Sequence, residues 1–210
     1  IDNQWTIPDV EHVSPVHNPS TGEVIAEVPL CGGDVVNEVV ASSLRAFPGW
    51  GKSPPIDRAR ILFRYKMLLE EHFEELAEII TREHGKTLTE ARGDVRRGVE
   101  VVEYACGAPE LLKGESLQNI ADGIDCISIR EPVGVCAGIC PYNFPALVPM
   151  WMYPMALACG NTFIFKPSEK VPLTGIRLIE LLIEAGLPPG VLNIVHGGRE
   201  CVDALLAHPD

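Results

Sequence analysis

The chain has 210 residues, enough for one domain with a sizeable core or for two small domains. Apolar residues make up 46% and charged residues 22%, close to the averages of globular proteins, so the composition excludes a disordered or fibrous chain. The formal charge of −12 argues against a nucleic-acid partner, because proteins that bind DNA or RNA concentrate Lys and Arg where this chain has an acidic excess.

Seven cysteines, an odd number, lie mostly in apolar runs. This distribution indicates buried, reduced thiols rather than a disulfide framework. The first residues show no secretory leader, so we expect a reducing compartment: the cytoplasm of a bacterium or the mitochondrial matrix of a eukaryote. Cys136 and Cys140 have no His or Asp nearby and would lie about 13 Å apart along a strand, so we expect no metal site.

The N-terminal third predicts a hairpin followed by two helices. Turn residues at 20–22 separate two short extended stretches. A helix then begins with Asp34 as its N-cap and ends at Pro48. After a loop, one long amphipathic helix ends at Gly85. Its apolar positions, spaced by three and four, are Leu62, Tyr65, Leu69, Phe73, Leu76 and Ile80.

The next helix carries the spacing of a capping box, with Thr87 as N-cap and Glu90 three residues later. A second stripe runs along nearly the opposite side from its apolar stripe, so we expect this helix to be covered on two faces. That arrangement would turn Arg97 toward a protein interior; a solvated Arg is the alternative, favoured by base rates. The second stripe consists of Gly93, Arg97, Val101 and Tyr104.

The C-terminal half predicts a parallel sheet. Residues 124–131 alternate enough to form a half-exposed strand, an arm or a sheet edge. Continuous apolar strands that alternate with helices indicate a parallel sheet buried on both faces, the core of a nucleotide-binding α/β domain. The predicted strands are 133–139, 162–165 and 191–195, and the predicted helices are 145–159, 172–185 and 199–207.

Residues 132–165 carry no charge, a stretch of 34 residues that exceeds the roughly 20 of a membrane span. Five prolines and two asparagines interrupt this stretch, so we expect a buried α/β core and no membrane partner.

Polar residues stand where the first two predicted parallel strands end. The first strand is followed by "CPYNFP" rather than by G-x-G-x-x-G, which disfavours a common Rossmann dehydrogenase. Asn143 in this segment is either a helix cap or an amide donor aimed at charge that develops in a transition state. The second strand ends in "FKPSEK", with Lys166 and Glu169. Because the carboxyl ends of parallel strands meet at one edge of a sheet, both segments should open onto one crevice.

Three stretches together resemble the aldehyde dehydrogenase superfamily and, within it, the methylmalonate-semialdehyde branch. They are "CAGICPYNFPALVPMWMYPMALACGNTFIFKPSEKVPL", "AGLPPGVLNIVHGG" and "LLAHPD". The resemblance covers nearly the whole chain. Tyr142 stands where many members have Trp and where this branch typically has Phe. An aromatic residue other than Trp at this position favours the branch. The resemblance implies an aldehyde-dehydrogenase-like α/β fold: a Rossmann-type parallel sheet, N-terminal helices and an oligomerisation strand.

The resemblance also implies roles for individual residues. Asn143 matches the oxyanion-hole amide, which stabilises the oxyanion formed when a cysteine thiolate attacks an aldehyde. Cys140 and Tyr142 match positions that line the NAD pocket. Arg97 matches an arginine that grips the substrate carboxylate in this branch.

Three further positions are implied to contact the adenosine ribose of NAD: Lys166 and Glu169, with Lys170 beside them. A carboxylate that accepts hydrogen bonds from ribose hydroxyls would repel a 2′-phosphate, so NAD is expected as cofactor rather than NADP.

In the family, the nucleophilic cysteine and most of the catalytic domain come after the point that matches Asp210, so we expect the catalytic domain to be absent from this chain and the chain alone to be inactive. The expected organisation is a hairpin and helices at 1–114, an oligomerisation strand at 115–131 and an incomplete NAD-binding unit at 132–210.

The function implied by the resemblance is NAD-dependent oxidation of malonate or methylmalonate semialdehyde, through a cysteine thioester, to acetyl-CoA or propionyl-CoA in valine and pyrimidine breakdown. Coenzyme A would be a co-substrate, and the partners would be the small semialdehyde and further copies of the chain. Two alternatives stay open. One is a non-acylating aldehyde dehydrogenase that releases a carboxylic acid, and the other is a non-catalytic nucleotide-binding or oligomerisation module.

Overall fold

A computed structural model describes residues 1–210 as an α/β structure. In chain order the elements are β1 (Val13–His17), β2 (Val24–Pro29), α1 (Gly33–Lys52), α2 (Pro55–Glu71), α3 (Phe73–His84), α4 (Leu88–Cys106), α5 (Ala108–Leu111), β3 (Ser116–Ala121), β4 (Ile124–Ile127), β5 (Val135–Ile139), α6 (Leu147–Ala158), β6 (Thr162–Lys166), α7 (Leu173–Glu184), β7 (Leu192–Ile194) and α8 (Arg199–Ala207).

The N-terminal hairpin is confirmed: β1 and β2 pair antiparallel, and Gly22 in the turn has a φ of 76°, which favours glycine. The predicted ends of α1 are wrong. Gly32 is the N-cap and Asp34 lies in the first turn, and the helix continues past Pro48 to Lys52. The last turns are held by tertiary contact, since buried Trp50 donates a hydrogen bond from Nε1 to the carbonyl of Leu157 at 3.1 Å.

The single long helix predicted up to Gly85 is two helices, α2 and α3, interrupted at His72. His72 caps both helices with φ −98° and ψ 19°, and its ring lies 2.6 Å from the carboxylate of Glu75 in the first turn of α3. The apolar stripe stays in phase across the interruption, so its periodicity could not reveal the break. Five of the six predicted stripe positions are buried: Leu62, Tyr65, Leu69, Leu76 and Ile80.

The capping box of α4 is confirmed, because Thr87 and Glu90 exchange both hydrogen bonds. The expectation that α4 is covered on two faces is wrong. Its apolar stripe packs against α2, α3 and α6, but no element covers the opposite side, where Gly93, Arg97 and Tyr104 are exposed. Arg97 therefore does not face the interior of this chain.

Strand β4 lies inside the predicted 124–131 strand and pairs antiparallel with β3. The expected half-burial is wrong, since every residue of the β3–β4 hairpin is exposed. The expected oligomerisation strand at 115–131 is two strands: its first part, "SLQNIA", is interrupted by polar residues and bends at Asn119, which has a φ of 52°.

The predicted parallel sheet is confirmed, with the strand order β5-β6-β7. Central β6 is buried along its whole length. Ile164 faces a small cluster with α1 on one side of the sheet, and Phe163 and Phe165 face the main core of α2, α3, α4, α6 and α7 on the other. The helices of 1–114 and the strands of 132–210 thus share a core. No helix combines the length and apolar character needed to cross a membrane.

Candidate functional site

Two segments meet at the carboxyl ends of β5 and β6, and we call them the β5 segment (140–146) and the β6 segment (166–170). Strand pairing sets Ile139 opposite Lys166. The backbone N–H of Cys140 then donates to the carbonyl of Lys166 at 2.9 Å. The two polar segments noticed in the sequence therefore lie side by side at one edge of the sheet, as parallel pairing requires.

Lys166 and Glu169 form an ion pair at the base of this edge. The Nζ of Lys166 lies 3.2 Å from Oε2 of Glu169, and the Lys166 side chain is 4% exposed. Burial raises the pKa of Glu169, but hydrogen bonds from its own backbone N–H and from Lys166 outweigh this and hold that pKa below its usual value. An ammonium has three donors, so Lys166 keeps donors for a ligand hydroxyl beyond the bond to Glu169.

Tyr142 and Lys170 connect the two segments on their solvent side. The Nζ of Lys170 lies 5.1 Å from the centroid of the Tyr142 ring, within the range of a cation–π contact. Both residues are exposed, so they lie at the solvent-facing edge of the sheet.

Cys140 has a buried side chain. Burial raises the pKa of its thiol to about 12, although the positive charge of Lys166 opposes the shift. A thiol with that pKa is protonated and a poor nucleophile near neutral pH. All seven cysteines are free, and Cys126, expected among the buried thiols, is exposed because it lies in the hairpin.

Asn143 is exposed, and its side chain makes no hydrogen bond within the chain. Helix α6 begins at Leu147 with Ala146 as N-cap, so the helix-cap interpretation of Asn143 is wrong. Pro145, expected in the first helical turn, precedes the helix. The amide of Asn143 remains available to a ligand.

Two buried carboxylates, neither of them among the candidate residues named from the sequence, hold the helices that follow these segments. Oδ1 of Asp94 accepts the Leu147 N–H at the start of α6 at 2.8 Å. Glu83 accepts the N–H groups of Leu173 and Thr174 at the start of α7, at 2.7 and 2.9 Å. Burial raises the pKa of Glu83 to about 7 against the opposing effect of these bonds. The burial of Asp94 could have been recognised in the sequence, because it is a charged residue on the apolar stripe of α4.

Arg97 projects from the open face of α4 and forms no ion pair within the chain. It lines one concavity with Lys86 and Phe144, and a second with Leu147 and Trp151. Arg97 and Phe144 line the same concavity, and Phe144 directly follows Asn143. The side of α4 that carries Arg97 therefore faces the β5 segment. No group of three or more His, Cys, Asp or Glu side chains is arranged to hold a metal ion.

A parallel sheet covered by helices on both faces defines an α/β protein, and in such proteins ligands bind beyond the carboxyl ends of the strands, where this chain places polar side chains. A sequence model of the aldehyde dehydrogenase family matches residues 5–210. The chain belongs to the aldehyde dehydrogenase family.

Individual proteins similar to this chain include semialdehyde dehydrogenases. The chain is 53% identical over 195 residues to a malonate-semialdehyde dehydrogenase of Pseudomonas aeruginosa, an alignment covering 93% of this chain and 39% of that protein. It is 48% identical, with a TM-score of 0.97, to a crystal structure of methylmalonate-semialdehyde dehydrogenase from Oceanimonas doudoroffii, covering 100% of this chain and 43% of the other. Identity, TM-score and coverage are the same for an NAD complex from Sinorhizobium meliloti 1021 assigned to that activity. The chain thus spans well under half the length of these relatives.

Proposed function

We propose that this chain is the NAD-binding part of a dehydrogenase that oxidises malonate or methylmalonate semialdehyde and transfers the acyl group to coenzyme A. One observation carries the proposal. The exposed, unpartnered amide of Asn143 lies at the same sheet edge as the Lys166–Glu169 pair, so a donor for reaction chemistry stands beside a site for ribose. The similarity to semialdehyde dehydrogenases supports the substrate class.

The residues at this edge of the sheet fit NAD. Lys166 is a buried cation with donors to spare, and Glu169 beside it is held ionised, which suits the hydroxyls of an adenosine ribose. The charge of Glu169 would repel a 2′-phosphate, so NADP should bind more weakly. Cys140 and Tyr142 would line the cofactor, and Lys170 would border it. NAD, when bound, supplies the acceptor for the hydride that leaves the substrate.

Asn143 would act as the oxyanion donor. Its NH₂ would stabilise the negative charge that develops on the aldehyde oxygen when the nucleophile of the intact protein attacks. Removing one such donor typically costs about 3–4 kcal/mol of transition-state stabilisation.

Arg97 would recognise the carboxylate of the semialdehyde. A guanidinium binds carboxylates through two parallel hydrogen bonds, and that of Arg97 is exposed and free of ion pairs on the side of α4 facing the β5 segment. In an acidic chain, a cation without an intramolecular partner is well placed to attract an anionic substrate.

The β3–β4 hairpin would join copies of the protein into a homo-oligomer. It is exposed on all sides, and a two-stranded hairpin has little stability of its own. The thiols of the chain are free, in keeping with a reducing compartment such as the bacterial cytoplasm or the mitochondrial matrix.

The intact protein that carries this chain should reduce NAD with methylmalonate semialdehyde only when coenzyme A is supplied. The measurement is absorbance at the NADH wavelength with and without coenzyme A. Equal rates without coenzyme A would make the protein an acid-forming aldehyde dehydrogenase. Absence of turnover, with NAD binding retained, would indicate a non-catalytic nucleotide-binding module.

The substrate part is tested separately with Arg97→Leu, comparing the KM of a carboxylated semialdehyde with that of an uncharged aldehyde of the same length. We expect the KM of the carboxylated substrate to rise far more, because only that substrate loses an ion pair. Equal changes in both KM values would refute the role of Arg97. Arg82→Leu, also at an exposed helical arginine, is the matched control.

A further inference from the structure

A buried ion pair lies directly behind the β5 segment. Nζ of Lys86 and Oδ2 of Asp94 are 2.8 Å apart, and their side chains are 12% and 0% exposed. The proposed chemistry does not use this pair. A fully buried carboxylate is costly unless it is paired and hydrogen-bonded, so its presence here calls for a physical reason.

Both members of the pair contact residues that closely follow Asn143 in the chain. Oδ1 of Asp94 accepts the N–H of Leu147 at 2.8 Å, and Nζ of Lys86 lies 4.0 Å from the centroid of the Phe144 ring. Asn143 immediately precedes Phe144. The pair therefore holds the Phe144 side chain, directly after Asn143, and the Leu147 backbone, directly after the β5 segment.

The contact with Leu147 replaces a missing helix cap. The N-cap residue of α6, Ala146, has no side-chain oxygen, and the first N–H groups of a helix lack intrahelical partners. A carboxylate at this end satisfies one such donor and interacts favourably with the helix dipole. Since Asp94 belongs to α4, the start of α6 and the segment before it are fixed to α4.

We propose that Lys86 and Asp94 are positioning residues for Asn143, orienting its amide for the developing oxyanion. This inference rests on the proposed function. The pair touches no reacting atom; it acts by limiting where the β5 segment, and with it the Asn143 donor, can lie. A donor displaced by about 1 Å loses much of its effect, because transition-state stabilisation depends on alignment set before the reaction.

The test is a double-mutant cycle on kcat in the intact enzyme. Asn143→Ala should lower kcat about 100- to 1000-fold. Asp94→Asn should lower kcat about 10- to 100-fold in the wild-type background while the KM for NAD stays unchanged. In the Asn143→Ala background, Asp94→Asn should have little further effect, because no donor remains to be positioned.

Glu83→Gln is the matched control, because Glu83 is an equivalent buried carboxylate at the start of α7, next to the β6 segment. Its effect on kcat should be the same in both backgrounds, because its hydrogen bonds go to the start of α7 and not to the residues around Asn143. Lys86→Met removes the charge of the pair but keeps an apolar stem beside Phe144. It should show the same pattern as Asp94→Asn and takes the place of that variant if Asp94→Asn folds poorly.

An Asp94→Asn effect of equal size in both backgrounds would overturn the positioning role, since loss of folded protein lowers kcat regardless of Asn143. Wild-type kcat in Asn143→Ala would instead overturn the proposed function, and the role of Lys86 and Asp94 with it.

Discussion

At the scale of single residues, His196 at the sheet edge makes the stability of the fold depend on pH. It follows β7, and its Nδ1 is buried without a hydrogen-bond partner. Burial, with a smaller contribution from the charge of Lys166, lowers the pKa of His196 to about 4. In the unfolded chain this pKa returns to about 6.5. Between pH 4 and pH 6.5, His196 is therefore protonated in the unfolded chain but largely neutral in the folded chain.

Because the folded pKa is depressed, the contribution of His196 to stability is present above pH 6.5 and is lost as the pH falls toward 4. We expect His196→Gln to remove an acid-dependent loss of about 2 kcal/mol between pH 7 and pH 5. Urea unfolding at the two pH values measures this. His12→Gln, at an exposed histidine, should keep the wild-type pH dependence. If the free energy of unfolding of His196→Gln changes with pH as much as that of the wild type, the assignment is contradicted.

At the scale of elements, the contact between α4 and α6 places Asp94 within reach of the β5 segment. The two helices approach closely at Gly98, where a Cβ would overlap the side chain of buried Met150. Gly93 lies on the open face of the same helix, and a Cβ there would meet no atom within 4 Å. One helix thus carries a glycine required by packing and another that packing does not require.

We expect these two glycines to respond oppositely to alanine. Gly93→Ala should stabilise the chain by about 0.5–1 kcal/mol, because alanine loses less backbone entropy in a helix. Gly98→Ala should be destabilising by about 1–3 kcal/mol despite the same gain in propensity, because the terminal methyl of the buried Met150 side chain must move out of its packed position. Midpoints of chemical denaturation measure both. Equal effects at the two positions would show that the helices are not in close contact.

At the scale of the whole molecule, the β3–β4 hairpin is the part that the chain leaves unsupported. Leu117 pairs with Cys126 on one face of the hairpin, and Ala121 pairs with Ile124. Leu117 is 59% and Ile124 56% exposed, so this face presents apolar side chains to solvent. Such a surface is typical of a protein–protein interface, and the proposed homo-oligomer would cover it.

Leu117→Arg should therefore shift the intact protein toward smaller species in sedimentation velocity, because a charge would be buried in the interface. Gln118→Arg places the same charge on the opposite face of β3 and serves as the control. If both variants sediment as the unmodified protein does, this face of the hairpin is not the interface.

The sequence by itself determined the sheet and the segments that end its strands. Runs of apolar residues around Val135, Phe163 and Leu192 can form only buried strands when helices alternate with them, and parallel pairing then places Asn143 and Lys166 at one edge. The capping box at Thr87 could also be read from the sequence, because all of its atoms lie within four residues. The roles of the site residues remain predictions.

Only the tertiary structure decided what supports that edge. Asp94 meets Leu147 across 53 residues of chain, and Glu83 meets Leu173 across 90. The same holds for the exposure of Arg97, which depends on which elements cover α4. Local periodicity records which side of a helix is apolar, but the partner of a buried charge is set by how distant elements pack, and no local pattern carries that information.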